Sequence, residues 1–280
     1  MFDKIKVRRS FDRAATTYDE AAVLQREVVK RMLERLDFIT LQPNTILDVG
    51  AGTGFVAQGL RDRYKQASII ELDLSLGMLQ NRSDSLPWYK RFFKSPMLVC
   101  GDAEYLPVAD NSVDMLFSSL TIQWCNDLQS TLSEFMRVLK PGGLLMFTTF
   151  GPDTLKELRY SWAQVDEKGH VSPFLDMHDI GDMLLHAKMA EPVMDVETFT
   201  LTYESVNSLV TDLRAIGATN ALQDRSRHLT AKSDYKKMQA AYETWRDANA
   251  KLPASYEVVY GHAWKGQAKF DSGSVNVEFD

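Results

Sequence analysis

The sequence predicts an open α/β fold, in which a mostly parallel sheet is covered by helices. Between residues 40 and 150, short apolar runs alternate with amphipathic stretches, which is typical of parallel strands joined by helices. The glycine-rich turn "GAGTG" directly follows the first apolar run, where such sheets bind ligands outside the carboxyl ends of their strands. A chain of 280 residues with 45% hydrophobic residues can bury the core of one large domain.

Five apolar runs supply the strands of the first half: "TILDVGA" (45–51), "ASIIELD" (67–73), "MLVCGD" (97–102), "VDMLFSSL" (113–120) and "GLLMFTTF" (143–150). Helices are predicted between them at 54–64, 75–86 and 128–139. The last of these helices should end at "KPGG", where Pro141 and the glycines turn the chain into the fifth strand. The order strand, helix, strand supports the parallel sheet.

Beyond Gly151 the predicted helices are longer, at 153–165, 176–189, 205–216 and 234–250. Two strand-like stretches interrupt them, "PVMDVETFTLTY" (192–203) and "YEVVYGHAW" (256–264). We therefore expect a seven-stranded sheet whose last two strands form an antiparallel, hairpin-like edge, with the late helices as a lid over the strand ends. No linker rich in proline or glycine calls for a second domain.

Composition excludes several classes of protein. A formal net charge of −6 gives no general attraction to nucleic acid or to an anionic membrane. Cys100 and Cys125, both expected in the core, are too few for a disulfide framework and suit a reducing compartment. No apolar run reaches roughly 18 residues, the length of a membrane span, and the basic start lacks an apolar signal region. We expect a cytoplasmic protein with no metal site.

Gly50, Gly52 and Gly54 separate the first strand from its helix. Glycine allows close approach of a ligand to the backbone, and the helix offers free N–H groups. The triad alone is a weak signal, because any tight turn from strand to helix favours glycine. Asp73 strengthens it, since an acidic residue at the end of the next strand can hold a pair of ribose hydroxyls.

The spacing G-x-G-x-G, with Asp48 before it, resembles the class I S-adenosylmethionine-dependent methyltransferases, as do "ELDLSLGML", "GDAEYLPVADNSVD" and "RVLKPGG" further along. The resemblance implies a Rossmann-like fold with an antiparallel last strand, and S-adenosyl-L-methionine as cofactor. Asp48 and the glycine loop would face its methionine part, and Asp73 its ribose. The remaining cofactor contacts would come from Leu74 and Met78 (adenine ring), Asp102 (adenine amino group), Ala103 (backbone amide to adenine) and Ser119.

The acceptor is less clearly marked. An amine or a phenol must lose a proton before it is methylated, whereas a carboxylate is already ionised at neutral pH. The five histidines, His170, His178, His186, His228 and His262, lie in predicted helices, polar turns or the last strand, without the setting of a general base. The sequence therefore favours an anionic acceptor, which needs a positioned cation or hydroxyl and a closed site.

Nearly the whole chain resembles the malonyl-[acyl-carrier protein] O-methyltransferases of biotin synthesis, through "RRSFDRAATTYDEAAVLQ", "TIQWC", "GPDTLKELRYSWAQVD", "FLDMHDIGDML", "DLRAIGATNA" and "LPASYEVVYGHAW". These enzymes methylate the free carboxylate of a malonyl thioester, which then serves as a disguised primer for fatty-acid synthesis. The resemblance implies one methyltransferase domain, 1–280, divided into an N-terminal helical cap (1–38), a cofactor-binding core (39–150), lid helices with a late strand (151–255) and the last strand with a tail (256–280).

The same resemblance implies roles at the methyl-transfer site. Tyr18 and Gln25 would close over the cofactor, and Gln123 and Trp124 would border the acceptor, with Tyr18, Gln123 and Trp124 as the catalytic candidates. A cation from the lid should pair with the malonyl carboxylate. Arg214 is the first choice and Arg225 the second, while Arg159 is less secure.

The implied partner is malonyl-acyl carrier protein or malonyl-coenzyme A. An acidic carrier must dock on a local basic patch of this acidic chain. The candidates are "KIKVRR" (4–9), "WYKRFFK" (88–94) and, favoured because it lies beside the lid, the group Arg225, Arg227, Lys232, Lys236 and Lys237.

Three other functions stay open at this point. The mitochondrial complex I assembly factors share nearly the same lid motifs, but a transit peptide and a longer N-terminus are expected there, and this chain begins shortly before "SFDRAA". The core would also suit a methyltransferase that acts on oxygen or nitrogen of a small molecule. A cofactor-binding regulator without catalysis is disfavoured by the intact glycines and Asp73.

Overall fold

The computed structural model describes residues 1–85, 96–223 and 230–266. Its seven strands form one sheet in the order β3-β2-β1-β4-β5-β7-β6. They are β1 (Thr45–Val49), β2 (Ser68–Asp73), β3 (Met97–Cys100), β4 (Val113–Ser119), β5 (Leu139–Phe150), β6 (Met189–Tyr203) and β7 (Leu252–Lys265). The first five strands are parallel, and β7 runs antiparallel to both β5 and β6. The predicted fold class is confirmed.

Ten α-helices lie in the described ranges: α1 (Lys4–Ala14), α2 (Tyr18–Ala21), α3 (Val23–Arg35), α4 (Phe55–Arg63), α5 (Leu76–Asp84), α6 (Leu128–Val138), α7 (Lys156–Ala163), α8 (Met177–His186), α9 (Val206–Ala215) and α10 (Lys232–Tyr242). Asp3, Ser75 and Asp127 begin three of them by accepting a hydrogen bond from a free backbone N–H. Such a cap stabilises a helix by about 1 kcal/mol. None of these helices is long and apolar enough to cross a membrane.

Helices cover both faces of the sheet. Successive residues of a strand point to opposite faces, and Ile46 and Leu47 of β1 accordingly belong to two different buried clusters. The Ile46 cluster contains side chains of α3 and α4, such as Val28 and Leu60. The Leu47 cluster contains side chains of α6 and α8, including Phe135. With both faces covered, the carboxyl ends of the parallel strands are left for a site.

One detail of the sheet differs from the sequence prediction. "KPGG" lies inside β5, not before it, because the β4–β5 pairing shifts register between Val113↔Leu139 and Met115↔Leu144. Pro141 is tolerated there since a bulge does not require its missing N–H. The last two strands form the antiparallel edge that the sequence predicts, with β7 beside β5 and β6 outermost.

The lid begins where β5 ends and is held against β7. The Gly151 amide donates to the Glu257 carbonyl at 2.8 Å. Arg159 donates to the carbonyls of Pro152 and Thr154, at 2.7 and 3.1 Å. The buried Glu157 carboxylate accepts from the amide and hydroxyl of Ser255. The guanidinium of Arg159 therefore fastens the start of the lid.

The N-terminal helix closes the site from the other side. The Asp3 amide donates to the Ala221 carbonyl at 2.9 Å, and Lys6 Nζ donates to the Asn220 carbonyl at 2.6 Å. The hydroxyls of Ser10 and Thr219 lie 2.7 Å apart. Helix α1 and the loop after α9 thus form one continuous cover.

The expectation that both cysteines lie in the core is wrong for Cys100, which is exposed. It ends β3, the outermost strand on its side of the sheet, where fewer neighbours cover the side chains. Cys125 is partly buried, and burial raises the pKa of its thiol to about 11. The two thiols are not paired with each other.

Candidate active site

A cavity of about 650 Å³, here the first cavity, lies at the carboxyl ends of β1, β2 and β4. Most of the residues predicted to bind the cofactor line it together: Tyr18, Gly50, Gly52, Asp73, Leu74, Met78, Asp102, Ala103 and Ser119. Trp124 is also on its wall. Local sequence motifs from five segments of the chain therefore meet at one place.

The three glycines of the loop differ in what surrounds them. All have positive φ, at 79° for Gly50, 54° for Gly52 and 91° for Gly54. A Cβ on Gly50 would lie 1.9 Å from Thr121 Oγ1, and one on Gly54 would lie 2.3 Å from Arg82 Nε. A Cβ on Gly52 would meet no protein atom within 4 Å. Gly50 and Gly54 are thus required by packing, whereas Gly52 leaves open space beside the first cavity.

Asp73 is held in a fixed orientation at the end of β2. Its Oδ2 accepts from the Gly52 amide at 2.9 Å, and its Oδ1 accepts from the Ser75 amide at 2.7 Å. Burial raises the pKa of the carboxyl to about 6, against the opposing effect of these two hydrogen bonds. Each oxygen keeps a further lone pair, so the carboxylate can accept from two more donors.

Asp48 lies beneath the glycine loop and does not line either of the two cavities described here. It is fully buried, and neither carboxylate oxygen has a hydrogen-bond partner among the described residues. Burial, followed by the charges of Glu71 and Asp73, raises the pKa of this carboxyl well above its ordinary value. Its predicted contact with the methionine part of the cofactor stays a prediction.

Sequence reasoning missed the part that α1 plays in the first cavity. Lys4, Val7 and Phe11 line the wall, and Lys4 Nζ lies 2.9 Å from Asp102 Oδ1 and 3.1 Å from Glu104 Oε2. The available signal was the spacing of Val7, Phe11 and Tyr18, which places Val7 and Phe11 on one face of a helix. The Phe11 ring meets Trp124 edge to face, with centroids 5.5 Å apart.

A second cavity, of about 860 Å³, lies under the lid. It adjoins the first, since Phe11, Tyr18, Leu120 and Trp124 line both. The predicted residues Gln25 and Gln123 line it as well. Sequence reasoning did not assign the others: Phe2, Phe150, Thr154, Leu155, Leu158, His170, Val171, Ser172, Phe174, Leu213, Ile216, Ala218, Thr219, Asn220 and Tyr256.

Two polar groups stand where the cavities meet. Burial, then the charges of Asp73 and Asp19, raise the pKa of Tyr18, so its hydroxyl stays protonated and can donate. The Gln123 side chain donates to the Leu120 carbonyl at 2.7 Å and accepts from the Thr149 hydroxyl at 3.4 Å. Gln123 is therefore fixed in place, while no described residue hydrogen bonds to the Tyr18 hydroxyl.

The cations predicted to pair with the carboxylate, and the favoured basic group beside the lid, lie away from the cavity walls or outside the described residues. Arg214 is exposed on α9 and lines neither cavity. Lys232, Lys236 and Lys237 are exposed on α10. Arg225, Arg227 and the basic stretch 88–94 lie outside the described residues, so their predicted roles stay predictions. Among the described residues that line the second cavity, none is Lys, Arg, Asp or Glu.

Comparison with known proteins agrees with this arrangement. A family model described as "Methyltransferase domain" matches residues 47–147. A malonyl-[acyl-carrier protein] O-methyltransferase of Gallionella capsiferriformans (strain ES-2) is 52% identical over 267 residues, which cover 95% of this chain and 92% of the relative. The chain belongs to the malonyl-[acyl-carrier protein] O-methyltransferase family. Because the match spans nearly the whole chain, family membership includes the lid and the N-terminal cap.

Solved structures show the fold alone. The YcgJ protein of Bacillus subtilis superposes with a TM-score of 0.58 at 17% identity, covering 86% of this chain and 99% of that one. The [4+2]-cyclase SpnF superposes with a TM-score of 0.55 at 18% identity, covering 87% and 81%. Since SpnF is a cyclase, the reaction of a protein with this fold must be argued from its site and not from the fold.

Proposed function

We propose that this protein transfers the methyl group of S-adenosylmethionine to the free carboxylate of malonyl-acyl carrier protein, as an enzyme of biotin synthesis. One observation carries the proposal: a glycine-lined cavity at the strand ends adjoins a mostly apolar cavity under the lid, and Tyr18 and Trp124 belong to both walls. The names of the relatives point to the same acceptor.

The residues of the first cavity fit S-adenosylmethionine. Gly52 leaves space for a ligand against the backbone, and Asp73 has free lone pairs for the two ribose hydroxyls. Leu74 and Met78 provide an apolar surface for the adenine ring. When bound there, the cofactor supplies an electrophilic methyl group.

The second cavity suits an acceptor that is already ionised. Among the described residues, no carboxylate that would repel an anionic acceptor lines it. The protonated Tyr18 hydroxyl can donate to a carboxylate at the junction of the cavities. Phe11 and Trp124 cover the same junction and exclude water, which increases the reactivity of an anion.

The test is to incubate the purified protein with S-adenosylmethionine labelled in its methyl group and malonyl-acyl carrier protein. A base-labile methyl ester is expected. Acetyl-acyl carrier protein, which has the same thioester arm and no free carboxylate, is the matched control and should stay unlabelled. Bound cofactor without ester on malonyl-acyl carrier protein or malonyl-coenzyme A would contradict the proposal. Labelled small amines or alcohols would instead support the small-molecule alternative.

Cofactor affinity should depend on pH through Asp73. The pKa of about 6 in the free protein means that the carboxylate, which accepts from the ribose hydroxyls, is lost below that pH. Affinity for S-adenosylhomocysteine should be constant above pH 7 and weaken about tenfold at pH 5, measured by calorimetry. Asp73→Asn should bind weakly at every pH, with no change across this range.

The free energy of unfolding of the cofactor-free protein should also depend on the protonation of Asp73, but with the opposite trend in pH. An unfolded Asp has a pKa of about 3.9, below that of folded Asp73, so the folded state holds this proton more tightly. The stabilisation from this group is present at low pH and is lost as the pH rises from about 4 to 6. As the pH rises through this range, the affinity for the cofactor should therefore increase, whereas the contribution of Asp73 to stability should decrease.

A further inference from the structure

The second cavity contains one side chain that can carry a positive charge among its described lining residues, His170. It lies in the segment between α7 and α8, and its side chain is 15% exposed. The rest of the described wall is aromatic, aliphatic, hydroxyl or amide. An anion that enters this cavity therefore has one candidate partner for charge pairing on the described wall.

Asp166 holds one nitrogen of the His170 ring. The distance between His170 Nε2 and Asp166 Oδ1 is 2.8 Å. Asp166 is itself fixed, because its carboxylate accepts from the Lys168 amide at 3.0 Å and its amide donates to the Trp162 carbonyl at 3.1 Å. Burial opposes ionisation of Asp166, but the Lys168 amide and the His170 ring together hold the pKa of its carboxyl below the ordinary value. An ionised Asp166 makes Nε2 a donor.

Two further contacts fix the plane of the ring. Trp162 stacks on His170 with centroids 3.8 Å apart and an angle of 3° between the planes. An aromatic face attracts a positive charge above it. The Asn220 side chain donates to the Gly169 carbonyl at 2.7 Å and holds the preceding residue. No described residue hydrogen bonds to Nδ1, which is left for a ligand.

The other titratable groups around the ring come from two sides. Arg159, Glu167 and Lys168 line a shallow depression on the outer side, together with Asp166 and His170. The guanidinium of Arg159 is engaged by the carbonyls of Pro152 and Thr154. Across the cavity, burial raises the pKa of both Tyr18 and Tyr256, which therefore stay neutral.

We propose that the Asp166–His170 pair binds the free carboxylate of the malonyl group, with the N–H at Nδ1 as the donor. This inference rests on the proposed function. An ionised carboxylate is strongly disfavoured in an apolar cavity unless it is paired, so His170 determines specificity for malonyl over uncharged thioesters. Methylation removes the charge, and the ester then loses its interaction with His170. The same contact thus selects the substrate and favours release of the product.

The experiment compares His170→Gln and Asp166→Asn with the wild-type protein. His170→Gln should raise KM for malonyl-coenzyme A and malonyl-acyl carrier protein by roughly tenfold to a hundredfold, the range expected for a hydrogen bond to a charged group. Affinity for S-adenosylhomocysteine should stay within about twofold, because the first cavity does not include His170. Asp166→Asn should change KM in the same direction by less. Thermal melting checks that both variants fold.

A second measurement separates charge recognition from a structural role. The dissociation constants of malonyl-coenzyme A and of its neutral methyl ester should differ in the wild-type protein, and His170→Gln should remove most of this difference. His178→Gln is the matched control, since His178 also pairs with an aspartate, Asp176, at 2.7 Å, but is 81% exposed and lies outside the second cavity. That variant should behave as wild type.

Three outcomes are distinguishable. If wild-type protein makes no ester, the proposed function fails, and the binding comparison still tests His170. If wild-type protein makes the ester and the His170 variant keeps its KM and its preference for the charged ligand, the inference is overturned. If Arg214→Ala, and not His170→Gln, raises KM and removes the preference for the charged ligand, then Arg214 binds the carboxylate, as the sequence first indicated.

Discussion

Gly52→Ala should weaken binding of S-adenosylmethionine and S-adenosylhomocysteine roughly a hundredfold while the protein stays folded. The new methyl group would meet no protein atom within 4 Å, so it would occupy the open space beside the first cavity. The backbone cost is limited, because a non-glycine residue in the left-handed region is disfavoured by about 1–2 kcal/mol. Calorimetric titration and thermal melting measure the two effects separately.

Two other glycines provide the controls. Gly142, in the bulge of β5, has φ of 77°, so Gly142→Ala has a similar backbone strain without touching the first cavity, and cofactor affinity should not change. Gly50→Ala combines backbone strain with a clash against Thr121, so it should lower stability much more than Gly52→Ala or Gly142→Ala. Wild-type affinity in Gly52→Ala would show that the cofactor does not use this space.

Most of the lining of the first cavity was predictable because its signals are local. Glycines between a strand and a helix, and an acidic residue at the end of the next strand, follow from the geometry of parallel sheets. The same logic could not show that Asp48 lies beneath the loop. An acidic residue just before the glycines could either face the ligand or be buried under the loop. The position of Asp48 is set by its burial, which depends on the helices packed over the sheet.

The lining of the second cavity was harder to predict because the lid and the cap bring together residues that are distant in sequence. Arg214 illustrates the limit: its neighbours Leu213 and Ile216 line the second cavity, whereas Arg214 is exposed. Each residue of a helix points about 100° away from the one before it, and a motif does not reveal which one faces inward. His170 was dismissed for the same reason, since its partners Asp166 and Trp162 are recognisable only in the folded lid.

Arg82→Met should destabilise the protein by about 3–5 kcal/mol, the cost of leaving a buried charge without its partner. Glu71 is fully buried beside the glycine loop, and its carboxylate accepts from Arg82 Nε at 3.0 Å. Its second partner, Arg61, is about one third exposed. Arg82 also lowers the pKa of the buried Asp48, so its loss removes compensation from a second carboxyl. Because Arg82 packs against Gly54, the cofactor loop should also loosen.

Urea denaturation of four variants tests whether charge is the cause. Arg61→Met should cost less than Arg82→Met, because the Arg61 side chain is about one third exposed and Arg82 still pairs with Glu71. The double variant Glu71→Gln with Arg82→Met removes both members of the pair and should recover most of the loss seen in Arg82→Met alone. Glu71→Gln by itself completes the double-mutant cycle. If the double variant is as unstable as Arg82→Met, then packing of the long Arg82 side chain, and not its charge, supports the loop.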